Sequence, residues 1–222
     1  MGVVDALRGL KVKYGPLTSD KRFIAGEIAL VVAFNLLRWI EPFGTLIVGW
    51  ASLWLRGMTW RDVGLVNPKS WKRTILVSAV LTVIVLVFSL AVSNIIYGLT
   101  GEMPDTSVFE IVKGNYYILA FLVVGVISWA GFPEELAYRG YFFNRLTDLF
   151  GGNRLGLFLS AVASSVIFGW GHWYEGVNAV ITTSLMALVF VTIYLFSKKN
   201  IWSMIIIHSA YDVIAMLLYF YA

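Results

Sequence analysis

The chain has no cysteine among its 222 residues, two histidines and five prolines, and only 14% of its residues are charged. Without cysteine there is no disulfide, no thiolate metal ligand and no cysteine nucleophile. Soluble domains are about 25% charged and about 45–50% apolar, whereas 59% of this chain is hydrophobic and its mean hydropathy is +0.79. A fold of this size in water lacks the interior to hide that much apolar side chain, so the bilayer is the expected solvent. A net charge of +4 and a pI near 9.3 are basic enough for a nucleic-acid binder. No basic stripe interleaved with aromatics lies on a polar segment, which excludes that class. The start does not read as a removable signal peptide either. No early apolar stretch ends in a small-residue cleavage site, and Arg8, Lys11, Lys13, Lys21 and Arg22 precede the first apolar run, as in a cytoplasmic tail.

What is present is a series of long apolar runs. Crossing the hydrocarbon core takes roughly 20 apolar helical residues, and candidate spans fall at about 24–40, 43–55, 74–97, 116–132, 155–171, 177–196 and 201–221. The second is short for a full crossing. The stretch Glu134 to Phe150 is too polar for a lipid-facing span, and either prolongs the fourth span or lies at the interface. The expected fold is all-α: a polytopic transmembrane bundle of about seven or eight helices, forming a single integral-membrane domain over residues 1–222. Basic residues orient it. With the N-terminus inside, all of the 17 Lys and Arg except Arg38 and Lys113 fall in cytoplasmic segments, whereas the loop 98–115 carries Glu102, Asp105 and Glu110. Positive residues mark the cytoplasmic side of short loops, so a cytoplasmic N-terminus and an external C-terminus are expected. Arg145 and Arg154 read as topology signals. Glu27 and Arg38 read as structural partners near the two ends of the first span. Trp39, Trp54, Trp60, Trp71, Trp173 and Trp202 sit near span ends, where interfacial anchoring explains them.

Against this background three polar clusters stand out: Pro133-Glu134-Glu135-Leu136-Ala137-Tyr138-Arg139-Gly140, Phe168-Gly169-Trp170-Gly171-His172, and His208-Ser209-Ala210-Tyr211-Asp212. An ionisable side chain in a membrane helix costs roughly 2.5–3.5 kcal/mol on insertion scales and marks a functional site by default. Both histidines of the chain lie in these clusters. Glu135 and Arg139 are four apart, the spacing of an ion pair on one helix face. Glu134 lies about 100° around the helix, left without a local partner and suited to general-base work. Pro133 is expected to break or kink the fourth span. His208 and Asp212 are also four apart, so that Asp212 can accept from the imidazole and fix its tautomer. Phe168 reads as packing. A base that activates water and a histidine that stabilises an oxyanion can together hydrolyse an amide. The blander reading of each cluster is structural: a solvated acidic helix face, or a histidine bonding between helices.

The ordered set Glu134-Glu135-x-x-x-Arg139, Phe168-x-x-x-His172 and His208-x-x-x-Asp212 resembles the type II CAAX prenyl endopeptidase family, which also includes bacterial proteins linked to bacteriocin processing and self-immunity. Trp60-Arg61-Asp62-Val63-Gly64-Leu65 also looks like its members. The resemblance covers about residues 115–215 by motif, with weaker similarity from about 55. It implies an intramembrane glutamate-dependent protease with about eight helices and no metal cofactor, acting on a membrane-associated peptide that is prenylated in CAAX-type members. Glu134 and His172 would activate the attacking water, and Glu135 and Arg139 would support the site or position substrate. His208 and residue 212 would stabilise the oxyanion. The family motif often carries Asn where this chain has Asp212. An ionised Asp has no donor, so the oxyanion role falls on His208 first, and Asp212 acts either protonated or as an orienter of His208.

Four alternatives compete with the protease. A zinc hydrolase would use Glu134, His172 and His208 as a two-histidine, one-carboxylate set, although no His-Glu-x-x-His is present. A non-catalytic immunity or scaffold protein would keep the fold alone. A transporter would use intramembrane Glu and His as a proton relay, but no paired broken helices or repeat halves are evident. A serine protease is disfavoured because Ser128 lies in Gly125-Val126-Ile127-Ser128-Trp129-Ala130-Gly131, which is not a nucleophile-elbow pattern. One geometric conflict follows from the expected spans. Glu134 ends one crossing and His172 ends the next in the opposite sense, which sets them near opposite membrane faces unless residues 134–148 lie within the embedded helix. Substrate identity and oligomeric state are not encoded in these motifs.

Overall fold

The structure, a computed structural model, describes residues 15–37 and 41–221. The expectations for Arg8, Lys11, Lys13, Arg38 and Trp39 lie outside the described residues. Among those described the chain is helical throughout, with no strand. Its main helices are α1 (Lys21–Leu36), α2 (Phe43–Arg56), α3 (Trp71–Thr100), α4 (Tyr116–Phe150), α5 (Arg154–Trp170), α6 (Val177–Phe196) and α7 (Ile201–Tyr221). Short polar side chains start several of them by accepting from the first free N–H groups: Asp20 from Arg22, Ser70 from Arg73, Asn115 from Tyr117 and Ile118, and Asn153 from Gly156. Gly57 and Gly101, in the left-handed region, close α2 and α3.

Four of these helices, α3, α4, α6 and α7, are long and apolar enough to cross a membrane. The chain is a polytopic helical membrane protein. Among the described residues α1, α2 and α5, at 16, 14 and 17 residues, fall short of the roughly 20 residues of a typical crossing, so four of the seven candidate spans meet that length.

The polarity of the helices is inverted relative to a soluble bundle. On α3 the buried side chains are Ser78, Thr82, Val85 and Ser89, while Leu76, Val80, Val83, Ile84, Val87 and Leu90 point outward. In hydrocarbon an outward Leu loses nothing, and small polar residues let helices approach closely. The same logic holds between α5 and α6: a methyl group at Gly169 would collide with the Ser184 hydroxyl. Buried charges are paired. Arg56 of α2 holds Glu27 of α1 with two bonds of 2.8 Å and also donates to Ser52 Oγ and Thr18 O. Arg56 is therefore the partner of Glu27. Arg145 is buried and pairs with Asp148 at 2.7 Å, so it holds the helix end and is more than a topology signal.

Helix α4 settles the ambiguity at Glu134–Phe150, because the fourth span continues without a break to Phe150. Pro133 does not interrupt it. Two π-helical segments, Val126–Gly131 and Glu135–Phe142, flank the proline, and the Phe132 N–H reaches Ile127 O, five residues back. The wider turn gives the proline ring room and absorbs its missing donor. All eight residues of the second segment are buried, whereas none of Tyr116–Gly125 is. The polar stretch is the centre of the molecule, screened from lipid by the surrounding helices.

The conflict between Glu134 and His172 disappears with this extension. At about 1.5 Å per residue, α4 runs about 24 Å beyond Glu134 before it turns at Gly151, and the 17-residue α5 returns about 25 Å. His172, just past the end of α5, comes back to the depth of Glu134.

The segment Trp60–Leu65 fastens this bundle at one end. Gly64 O accepts from Ile201 N at 3.0 Å and Val63 O from the Tyr194 hydroxyl at 3.0 Å. Gly64 has φ 111°, and a Cβ there would strike Lys199 O, so both its backbone angle and its close approach require glycine.

Candidate active site

Glu135 is fully buried, and its Oε1 accepts two charge-assisted bonds, from Arg139 Nη1 at 3.0 Å and from His208 Nδ1 at 2.7 Å. The first follows from i,i+4 spacing on α4, even though the turn there is widened. The second crosses to α7 and is possible because α4 and α7 approach closely at Gly131, where a methyl group would collide with the Ser209 hydroxyl. The Arg139 guanidinium lies 4.7 Å from the Phe168 ring centroid and 5.1 Å from that of Phe190, so its faces are covered by aromatic rings instead of water. Phe168 also meets Tyr138 edge-on at 4.8 Å and lies 5.3 Å from the His172 ring. It packs, as expected, and what it packs is the polar cluster itself.

A carboxylate only accepts, so His208 Nδ1 carries a proton and Nε2 is turned the other way. There Nε2 faces Glu134 Oε2 at 3.9 Å and Asp212 Oδ2 at 3.5 Å. Both separations exceed a normal N–H···O bond. The partner that sets the His208 tautomer is therefore Glu135, and Asp212 stands off the opposite nitrogen, contrary to the assignment from i,i+4 spacing. Glu134, without a partner on its own helix, reaches His208 across the helix interface.

His172 points its Nδ1 at Phe168 O, 3.2 Å away. A carbonyl oxygen cannot donate, so this nitrogen holds the proton and Nε2 keeps its lone pair. His172 and Glu134 line the same cavity of about 200 Å³, together with Asn35, Glu41, Trp129, Tyr138, Phe168 and Tyr174. Since a water occupies about 30 Å³, several waters or one peptide unit fit. Two histidine rings, two free carboxyls and a buried ion pair thus meet where α4, α5 and α7 converge. The arrangement can take a proton from water at Glu134 or His172 and present a ring N–H at His208 when that ring carries two protons. Among the described residues no three His, Asp or Glu side chains stand in a metal-holding arrangement.

Sequence reasoning missed the contribution of α1 and α2. Asn35 Nδ2 donates to the Tyr138 hydroxyl at 2.7 Å and to Ile167 O at 3.1 Å, bridging α1 to both α4 and α5. Glu41 enters the cavity from the α1–α2 turn, accepting from Thr45. Burial raises its pKa to about 7; the Thr45 bond opposes this, the Glu134 charge adds to it and the Tyr138 hydroxyl opposes it. The available signals were an amide within an apolar run and an acid beside Pro42 between two apolar runs.

Comparison with curated proteins and with solved structures returned no match. A scan against protein-family models matched residues 114–214 to the family described as Type II CAAX prenyl endopeptidase Rce1-like. Those residues span α4 to most of α7 and include Glu134, Glu135, Arg139, His172, His208 and Asp212. The motif-bearing part of this membrane protein, residues 114–214, is thus similar to the type II CAAX prenyl endopeptidase Rce1-like family.

Proposed function

We propose that the chain is an intramembrane endopeptidase that cleaves a membrane-associated peptide with water activated by Glu134 and His172. The observation that supports this best is that these two side chains border one cavity, the first beside His208 Nε2 and the second with its base-ready nitrogen free of the Phe168 bond. Glu134 accepts the proton of the attacking water, with His172 orienting that water from the opposite wall. The His208 ring, protonated on both nitrogens with Nδ1 held by Glu135, stabilises the oxyanion through its Nε2–H. Asp212, 3.5 Å from that nitrogen, serves as orienter and leaves the oxyanion to His208. Glu135 and Arg139 keep the cluster in place. The family supports a CAAX-type peptide as substrate, and exposed apolar faces such as that of α3 suit a substrate delivered through lipid. The basic residues of the N-terminal segment favour a cytoplasmic N-terminus.

Comparing peptide termini in membranes carrying the intact protein and its Glu134→Gln form tests this reading. Termini that depend on Glu134 identify the substrate, and identical sets of termini overturn the proposal. The same comparison with a chelator distinguishes the metal-dependent alternative, since the reaction as drawn keeps its full rate.

A further inference from the structure

Glu41 lies outside the residues that match the family, yet it shares the cavity with Glu134 and His172. It is held there. Thr45 donates to its Oε1, and its Oε2 is buried with no hydrogen-bond partner among the described residues. The titratable groups that face it are Glu134 and Tyr138 from α4, and His172 and Tyr174 from the turn after α5. Among the described residues no lysine or arginine lines this cavity. Tyr138 follows Glu134 by one helical turn and so shares its face. Asn35 donates into the Tyr138 hydroxyl oxygen, which directs the hydroxyl's own proton away from Asn35 and toward the carboxyl of Glu41. With a pKa of about 7, Glu41 is largely protonated just below neutrality. Burial keeps Glu41 protonated and the Glu134 charge adds to this, and two carboxyl groups whose surroundings set them apart in this way divide into base and acid.

We infer that Glu41 is the general acid of this site, delivering the proton that the leaving amine nitrogen needs after Glu134 has taken one from the attacking water. The inference rests on the proteolytic reading. Water oxygen bonds to the scissile carbonyl carbon as its proton passes to Glu134. The C–N bond of the tetrahedral intermediate then breaks, its electron pair stays on nitrogen, and that nitrogen takes the Glu41 proton. The products are a carboxyl and an amine. The proton on Glu134 returns to Glu41 through cavity water, so the cycle needs no other reactant. The division of labour explains why a helical hairpin outside the motif-bearing segment carries a half-buried acid to this wall.

The test compares two leaving groups in the full-length protein reconstituted in liposomes. One probe is a prenylated CAAX peptide amide; the other is the nitrophenyl ester of its acyl half, whose phenolate leaves without a proton. Glu41→Gln is expected to slow amide cleavage about 100-fold or more while leaving ester cleavage within about threefold, and Glu134→Gln to slow both. Equal loss on amide and ester makes Glu41 merely structural and overturns the inference, as does an unchanged amide rate. If Glu134→Gln cleaves as fast as the unaltered protein, the proteolytic reading fails first and the inference with it. A second measurement needs no turnover: infrared difference spectra between about pH 6 and pH 8, bracketing the pKa of about 7, should contain a protonated-carboxyl band that is missing in Glu41→Gln. Identical spectra overturn the inference even if the protease is active.

Discussion

Replacing Arg139 by Met leaves the fully buried Glu135 carboxylate with His208 as its one remaining charged neighbour. Breaking a buried ion pair by removing one member costs about 3–5 kcal/mol, because the survivor keeps its desolvation penalty and loses its attraction. Met refills the space between Phe168 and Phe190, so lost packing adds little beyond the cation–π term of about 1–2 kcal/mol. The converse change, Glu135→Gln, strands the guanidinium and should cost a similar amount. The two changes combined bury no uncompensated charge at this pair. Their joint cost should fall to about 2 kcal/mol, instead of the roughly 6–10 kcal/mol that additivity predicts. The assay is a double-mutant cycle by denaturant unfolding in detergent micelles, with peptide cleavage measured alongside. Cleavage should stay below that of the unaltered protein in the double variant, because His208 has lost its ionic anchor. Additive destabilisation would show that Glu135 and Arg139 are not energetically coupled, and would refute the placement of the cluster's energy in this ion pair.

Glu134→Gln should lower peptide cleavage by about 10²–10⁴-fold while leaving the denaturation midpoint nearly unchanged, as measured on the same preparations. Glu27→Gln breaks the pair with Arg56 far from the cavity; it should cost about 3 kcal/mol of stability and leave the cleavage rate of the folded protein unaltered. Gly131→Ala overpacks the contact with Ser209 and should destabilise by about 1–3 kcal/mol, with a loss of cleavage that unfolding data can separate from simple instability. The raised pKa of Glu41 makes stability depend on pH. The folded state binds the extra proton between the ordinary carboxyl value of 4.5 and about 7, so stability falls as pH rises across that window. Glu41→Gln should remove that slope, worth up to about 3 kcal/mol, as read from unfolding midpoints at about pH 5 and pH 8.

Composition and the order of three motifs were enough to read a helical membrane protein and to single out Glu134, His172 and His208, since ionisable groups in apolar helices are conspicuous. The partners were harder. Periodicity pairs residues along one helix, and it found Glu135 with Arg139. It also placed Asp212 beside His208, where the pair stands at 3.5 Å, but not the shorter bond to Glu135 on another helix, a contact that no spacing encodes. Pro133 reads as a break under a 3.6-residue rule, because π turns leave no periodic trace. Local pattern likewise gave no hint that Glu27 is held by Arg56 of the next helix. Glu41 was overlooked because an acid next to a proline between apolar runs resembles any interfacial loop.

The fold-back of α4 into α5 makes the two arms a matched pair of struts. A residue deleted between Glu134 and Phe150 would lower the elbow without shortening the return arm, shifting His172 by about 1.5 Å in depth and swinging the faces below the cut by about 100°. An equal deletion in the other arm would restore the level but not the rotation. Gly151 is held to glycine by its φ of 94°, while the residues beside it at the elbow are freer to drift than the lengths of the two struts, and insertions into this protein should be tolerated at the bend long before they are tolerated along either arm.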